Sequence, residues 1–139
     1  MNTFTKEFHR TTKGYCDVID LTADIDQAVR ESAIQDGLGV VFVPGSTAAI
    51  TTIEYESGVI ADLRKAIERL APQDMHYDHN QRWGDGNGFS HVRAALLGPS
   101  LSFIVANNQA QTGTWQQIVL LDFDNRGRDR RVLLKILGT

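Results

Sequence analysis

Short segments of alternating apolar and polar residues lie at both ends of this 139-residue chain and constrain its fold most. These segments are residues 3–12, 15–21, 114–123 and 131–137. A period of two residues is typical of β-strands that bury one face. Polar turns at residues 13–14 and 124–129 separate the members of each pair, so the sequence predicts an antiparallel hairpin at each end.

Two segments between these hairpins have a helical period instead. Ile25, Ala28 and Val29 recur at helical spacing in a segment that starts at residue 22 and that Gly37 can end. Residues 57–70 place their apolar side chains on one helical stripe before Pro72. The sequence therefore predicts two longer helices.

Shorter apolar segments complete the expected domain. Residues 38–43, 47–53 and 101–106 predict strands, and residues 89–97 predict a short helix. The first of these strands is a continuous apolar run, which suits a strand covered on both faces. We expect one α+β domain, residues 1–139, with two longer helices packed on largely antiparallel sheet.

Charge and composition exclude several classes of protein. The net charge of −3 provides no general positive field for nucleic acid. No apolar run is long enough to span a bilayer, and the N-terminus lacks the apolar region of a signal peptide. Cys16 is the only cysteine, so no internal disulfide can form, and we expect a cytoplasmic protein.

Three of the four histidines lie in or just after a polar segment without clear period, residues 73–88. Neutral imidazoles are good ligands for zinc and similar ions, which makes His79 and His91 candidate metal ligands. Their spacing of twelve positions matches no strong metal motif. The alternative is a solvated loop whose histidines contact only water or backbone.

Two further segments carry candidate binding groups. Gly45, Ser46 and Thr47 follow a predicted strand and could surround an anion with backbone N–H groups and hydroxyls, or could form a tight turn and no more. Glu54 could serve as a ligand or base. Acidic residues before a helix are equally explained by the favourable field at its N-terminus.

The remaining candidates lie near the C-terminal hairpin. Trp115 could stack on a flat ring, with the Gln116 amide beside it, although a tryptophan that caps the core is commoner. Four arginines crowd the last turn, at positions 126, 128, 130 and 131. Nearby aspartates balance their charge, so we interpret this segment as a solvated edge guarded by charge.

Five segments in order along nearly the whole chain resemble the YjbQ family, the secondary thiamine-phosphate synthases. They are VPGSTAAITTIEYE (43–56), YDHN (77–80), NGFSHVRAALLGPSL (87–101), GTWQQIVLLDFD (113–124) and RRVLLKILG (130–138). The resemblance implies a compact α+β homotrimer with a divalent metal, zinc first, in a pocket built around histidines. His79 and His91 match two family histidines.

The chain departs from the family pattern at one expected ligand. Many members have a histidine that opens a His-Thr-Thr-Ala-type motif, and that position is Gly45 in this chain, as in a Gly-Ser-Thr branch of the family. Either the metal takes fewer protein ligands in this chain, or another group replaces the histidine, with Glu54 as the first candidate. Thr112 likewise stands where the family string has leucine.

The resemblance implies transfer of a pyrimidine from its pyrophosphate to a thiazole phosphate. Such a reaction needs an anion cradle, a cation and a flat surface. The candidate catalytic residues are Glu54 and His91, and the candidate substrate-binding residues are Gly45, Ser46, Thr47, Arg93, Trp115 and Gln116. Two alternatives remain: a metal-dependent hydrolase of a phosphate ester or amide with Glu54 as base, and a non-catalytic trimer that binds a metal or a small anionic metabolite.

Overall fold

The computed structural model describes all residues from Met1 to Thr139. Eight strands and four helices follow one another along the chain. In order they are β1 (Asn2–Thr11), β2 (Asp17–Asp20), α1 (Thr22–Ser32), β3 (Asp36–Phe42), β4 (Ala48–Ile53), α2 (Ser57–Leu70), α3 (Asp78–Trp83), α4 (Gly88–Leu97), β5 (Ser100–Ala106), β6 (Gln109–Ala110), β7 (Gln117–Asp122) and β8 (Asp129–Gly138).

The strands form two antiparallel sheets. The larger sheet has five strands in the order β1-β8-β3-β5-β6, and the smaller has three in the order β2-β7-β4. Strand β7 separates two cores, because its alternate side chains point to opposite faces. Ile118 and Leu120 pack in a core with the larger sheet and α1, whereas Val119 and Leu121 pack against α2 and α4.

Local interactions determine where α2 begins and where α1 ends. Glu56 caps α2, and its carboxylate accepts hydrogen bonds from the backbone N–H groups of Gly58 and Val59 at 2.7 and 2.8 Å. Helix α1 ends at Ala33, in the left-handed conformation, four residues before the glycine expected to end it. The predicted α+β fold class is confirmed. None of the helices combines the length and apolarity that crossing a membrane requires.

Both predicted terminal hairpins are wrong. Strand β1 pairs with β8 along its whole length, and β2 pairs with β7, so the two ends of the chain pair with each other. Alternation of apolar and polar residues correctly predicts the strands, but it does not determine which strands pair with each other. Each polar turn is instead a crossover between the two sheets, and the crossovers lie side by side, with the Thr12 N–H donating to the Arg128 carbonyl at 2.8 Å.

One face of β3 is more exposed than its apolar sequence predicts. Leu38, Val40 and Phe42 are 48%, 37% and 39% exposed in the single chain. They share this outer face with Ile104 and Leu137, which lie opposite Leu38 on the two neighbouring strands. The strand covered on both faces is β7, in which five of six residues are buried.

Candidate functional site

A polar cavity of about 360 Å³ opens where three loops meet. The β3–β4 loop, the segment around α3 and α4, and the crossover from β7 to β8 supply its wall. The lining residues are Gly45, Ser46, Thr47, His79, Trp83, Asp85, Asn87, His91, Asp124, Arg128 and Arg130. The topology explains the convergence, because the end of β3, the start of β4 and the end of β7 meet at one edge of the two sheets.

The structure brings the two candidate metal ligands together. His79 lies on α3 and His91 on α4, and their ring centroids are 4.4 Å apart with the planes inclined at 42°. The polar segment predicted as a loop contains α3, which turns His79 towards α4. Gly88 allows the two helices to approach, since a Cβ at that position would lie 2.6 Å from the Tyr77 side chain.

The Nδ1 atom of His79 is buried and makes no hydrogen bond. The nearest acid is Asp85, whose carboxyl oxygen lies 3.4 Å from this nitrogen. In metal sites, a carboxylate commonly orients a ligating histidine through the ring nitrogen that does not touch the metal. The orphaned atom and its neighbour therefore fit that arrangement. No group of three or more His, Cys, Asp or Glu side chains is placed to hold an ion, so a single chain offers two imidazoles.

A buried ion pair forms the floor of the cavity. The guanidinium of Arg130 donates to both carboxyl oxygens of Asp122, at 2.7 and 2.9 Å, and Thr12 donates to the same carboxylate at 2.6 Å. Asp122 is fully buried and Arg130 is 9% exposed. A bidentate pair with an added hydroxyl satisfies most of the polar atoms, which is what makes such burial tolerable.

Asp124 forms the next layer towards the cavity. Burial raises the pKa of this carboxyl group, but hydrogen bonds from the Asn125 N–H, the Asn87 amide and the Arg128 guanidinium outweigh that effect and hold the pKa below its usual value. Asp124 is therefore ionised at neutral pH. Its charge balances that of Arg128, which remains about one-third exposed at the cavity mouth.

Thr47 links the β3–β4 loop to this network. Its hydroxyl accepts a hydrogen bond from Arg130 Nη2 at 2.7 Å and donates one to Asp124 at 3.1 Å. The Thr47 hydroxyl is thus already engaged. Of the two hydroxyl groups in the cavity wall, only that of Ser46 is exposed and free of hydrogen bonds to the protein. Gly45 has φ +143°, a conformation that side-chain-bearing residues rarely adopt.

A second, more apolar cavity of about 230 Å³ adjoins the first. Gly45, Ser46 and His91 line both cavities. The rest of its wall is formed by small or apolar residues, namely Ala48, Ala94, Ala95 and Pro99. His91 and the Gly45-Ser46 turn therefore stand between a charged compartment and an apolar one.

Glu54 and Trp115 lie away from the histidines. They line a different cavity, together with Asp20, Tyr55 and Gln117, beyond the far end of β4. The six residues of β4 separate Glu54 from the Thr47 end by about 20 Å. Within one chain, Glu54 thus cannot replace the missing histidine ligand or act as a base beside His91, and Trp115 cannot stack on a molecule bound there.

Arg93 and Gln116 are also engaged elsewhere. Arg93 is 4% exposed, and its guanidinium donates to the Ala71 carbonyl at 2.9 Å and pairs with Glu68. It joins α4 to the end of α2 and does not line the cavity. The Gln116 side chain accepts from the Gly113 N–H at 3.0 Å and belongs to the turn before β7.

Sequence reasoning missed most of the charged wall. The interpretation of the last crossover as a solvated edge is wrong for Asp122, Asp124 and Arg130, which are buried. A signal was present, because Asp122 and Asp124 flank the apolar Phe123 directly after the apolar run of β7, where an unpaired buried carboxylate would be costly. Trp83, which is 67% exposed, is the aromatic residue that lines the cavity.

Comparisons with known proteins agree with this fold. A family model described as UPF0047 protein YjbQ-like matches residues 6–139. A UPF0047 protein of Methanothermobacter thermautotrophicus is 35% identical over 99% of this chain and 94% of its own length. A YbjQ-like protein of unknown function from Sulfolobus solfataricus superposes with a TM-score of 0.94, at 30% identity, over 99% of both chains. The names of these proteins specify no activity.

Proposed function

The chain belongs to the YjbQ-like UPF0047 family, and from that premise we propose that it is a metal-dependent enzyme acting on a small phosphate-bearing metabolite. The reaction is of the thiamine-phosphate synthase type, in which a pyrimidine leaves its pyrophosphate and joins a thiazole phosphate. The proposal places the protein in the cytoplasm, since its single cysteine is unpaired.

One observation carries the proposal. The rings of His79 and His91 lie 4.4 Å apart in a cavity that also contains the guanidinium groups of Arg128 and Arg130. Imidazoles are the commonest nitrogen ligands of zinc, and guanidinium groups suit phosphate. A divalent ion held by the two imidazoles would supply the positive charge that stabilises a departing pyrophosphate.

The other residues of the site have roles that follow from their contacts. Asp85 orients the His79 ring through Nδ1, the atom that otherwise lacks a partner. Asp124 holds Arg128 at the cavity mouth, where its guanidinium contacts the phosphate-bearing substrate. Trp83 takes the stacking role that sequence reasoning gave to Trp115, because only Trp83 lines the same cavity as the histidines.

Metal content tests the first half of the proposal. Elemental analysis of protein purified without a histidine tag should find a divalent metal in the wild type and at least tenfold less in His79→Ala and His91→Ala. His76→Ala is the matched control, because His76 is exposed, contacts only Asp78, and lies outside the cavity. Unchanged metal content in the His79→Ala/His91→Ala double variant would reject the site.

Turnover tests the second half. Protein supplied with metal, the pyrimidine pyrophosphate and the thiazole phosphate should form thiamine phosphate above the blank, and His91→Ala should lose this activity. Glu54→Gln should retain it, since Glu54 lies beyond the other end of β4. If metal binds but no thiamine phosphate forms, a screen of phosphate esters and amides separates hydrolysis from binding without turnover.

We also propose that the protein is a homotrimer whose subunits meet through the outer face of the larger sheet. Leu38, Ile104 and Leu137 lie opposite one another on three adjacent strands and are exposed in the single chain. A contiguous apolar face of this kind favours burial in an interface. Sedimentation should give three times the 15.4 kDa chain mass, and Leu38→Glu should dissociate the trimer.

A charge introduced away from the proposed interface is the control for a general effect of added charge on assembly. Leu96 is 61% exposed on α4, and α4 packs on the face of the smaller sheet that points away from the larger sheet. Leu96→Glu should leave the sedimented mass unchanged. A monomeric wild type at micromolar concentration would reject the trimer.

A further inference from the structure

Arg130 has one nitrogen that the protein leaves free. Its Nε and Nη2 atoms are occupied by Asp122 and Thr47, whereas Nη1 makes no hydrogen bond. Arg130 lines the polar cavity, and the other two nitrogens face the buried network. A guanidinium fixed on one side and free on the other is preorganised for an anion, because little rotational freedom remains to be lost on binding.

Gly45 keeps the space in front of that nitrogen open. A Cβ at position 45 would lie 3.1 Å from Arg130 Nη1, which is closer than carbon normally approaches nitrogen. A histidine at this position, as in many relatives by the resemblance, would therefore crowd the free side of the guanidinium. In this chain the glycine and the exposed hydroxyl of Ser46 leave a polar gap beside Arg130.

The same turn faces the apolar cavity on its other side. Gly45, Ser46 and His91 belong to both walls, so one ligand of modest size can occupy both compartments. An apolar cavity of about 150 Å³ is enough to hold benzene. The cavity lined by Ala48, Ala94, Ala95 and Pro99 measures about 230 Å³ and accommodates a single aromatic or heteroaromatic ring.

From this arrangement we propose that the substrate held at the Gly45 turn is a phosphate monoester with a compact apolar body. Its phosphate binds at Arg130 Nη1 and the Ser46 hydroxyl, and its apolar part lies in the alanine-lined cavity across the Gly45 turn. This inference rests on the proposed function for the choice of phosphate as the anion. It adds the orientation of the substrate and makes Gly45 and Ala95 residues that determine specificity.

Two probes separate the compartments when their binding to the full-length protein is measured by calorimetry in EDTA, which removes any metal contribution. Inorganic phosphate tests the anion site alone, and phenyl phosphate tests both compartments. Wild-type protein should bind phenyl phosphate at least fivefold more tightly than inorganic phosphate. Arg130→Lys should weaken both probes tenfold or more, because one ammonium group cannot pair with Asp122 and also reach the cavity.

Ala95→Leu tests the apolar compartment without disturbing the core. Ala95 is exposed on α4, and leucine is a good helix former, so the variant should fold normally. It should weaken phenyl phosphate at least fivefold and leave inorganic phosphate unchanged. Val92→Leu, on the same helix but lining neither cavity, is the control and should change neither affinity.

The result that overturns the inference is equally specific. Equal affinity of the two probes for the wild type, or unchanged phenyl phosphate affinity in Ala95→Leu, rejects the apolar compartment. Absence of inorganic phosphate binding to the wild type in EDTA rejects Arg130 as the anion site. If Arg130→Lys does not fold, Ser46→Ala replaces it and should weaken both probes. These outcomes are independent of the metal content and turnover that test the proposed function.

Discussion

Asp124 connects the stability of the fold to the charge of the cavity wall. Hydrogen bonds hold the pKa of its carboxyl group in the folded protein below the value of an unfolded aspartate, which is about 3.9. A depressed pKa contributes stability that is present above the unfolded pKa and is lost as pH falls through the folded pKa. Its carboxylate therefore stabilises the protein at neutral pH.

We predict that Asp124→Asn removes part of the acid sensitivity of folding. Urea unfolding at pH 7 should give a lower free energy of unfolding for the variant, because Arg128 loses its charged partner. As pH falls through the unfolded value of about 3.9 and on through the lower pKa of the folded group, the wild type should lose more stability than the variant, since only the wild type carries this carboxyl group. Parallel pH profiles for the two proteins would contradict the assignment.

Cys16 provides a residue-scale prediction about reactivity. Burial raises the pKa of its thiol, and the Arg64 and Arg93 guanidinium groups offset that effect only in part. The side chain is 4% exposed in the core beneath α2. A protonated, buried thiol is a poor nucleophile.

We therefore expect Cys16 to resist a disulfide-exchange reagent at pH 8 in native protein and to react fully in urea. The measurement is the absorbance of the released thiolate over time. Rapid reaction of the native thiol would mean that the crossover before β2 opens readily and that the packing around Cys16 is looser than the structure indicates.

At the scale of single elements, the start of α2 depends on one of two similar glutamates. Glu56 accepts hydrogen bonds from two backbone N–H groups of the first turn, and these bonds lower its pKa. Glu54, two residues earlier, makes no such contact. The sequence predicted only that acidic residues before this helix benefit from the field at its N-terminus, and the structure assigns the capping role to Glu56.

We predict that Glu56→Ala lowers the Tm by a few degrees while Glu54→Ala leaves it nearly unchanged. Glu56→Gln should recover part of the loss, because its single amide oxygen can still accept one of the two hydrogen bonds. Thermal unfolding followed by helical circular dichroism measures all three. Equal shifts for the two alanine variants would mean that general charge near the helix, and not the cap, is responsible.

At the scale of the whole molecule, β7 joins the two cores. Leu120 points into the core shared with the larger sheet, and its neighbour Leu121 points into the core beneath α2 and α4. Both side chains are fully buried. Because one strand supplies both cores, neither core can lose its packing without exposing the other.

We predict that Leu120→Ala and Leu121→Ala each lower the free energy of unfolding by about 2–5 kcal/mol, the usual cost of such a cavity. Each variant should still unfold in a single urea transition, with helix and strand signals coincident. Leu96→Ala, at an exposed position, should cost far less. Two separate urea transitions in either variant would show that the two cores are independent.

The sequence by itself determined the elements and the family. The apolar period and the turn residues identified nearly every strand, the two longer helices and the short helix at residues 89–97, because these signals act within a few residues. The α2 bounds, residues 57–70, agree with the structure. The ordered motifs identified the YjbQ resemblance, which the family model and the relatives confirm. The resemblance also implied that His79 and His91 lie close together, and their rings do, whereas their role as metal ligands stays a prediction.

Only the tertiary structure decided the strand partners and the composition of the cavity. Alternation is the same whether β1 pairs with β2 or with β8, since both pairings bury the same face. That choice turned the last polar turn into a crossover and brought Arg130 beneath Gly45, eighty-five positions away. It also left Glu54 at the far end of β4. Contacts between residues so distant in the chain depend on how sheets pack, which local patterns do not record.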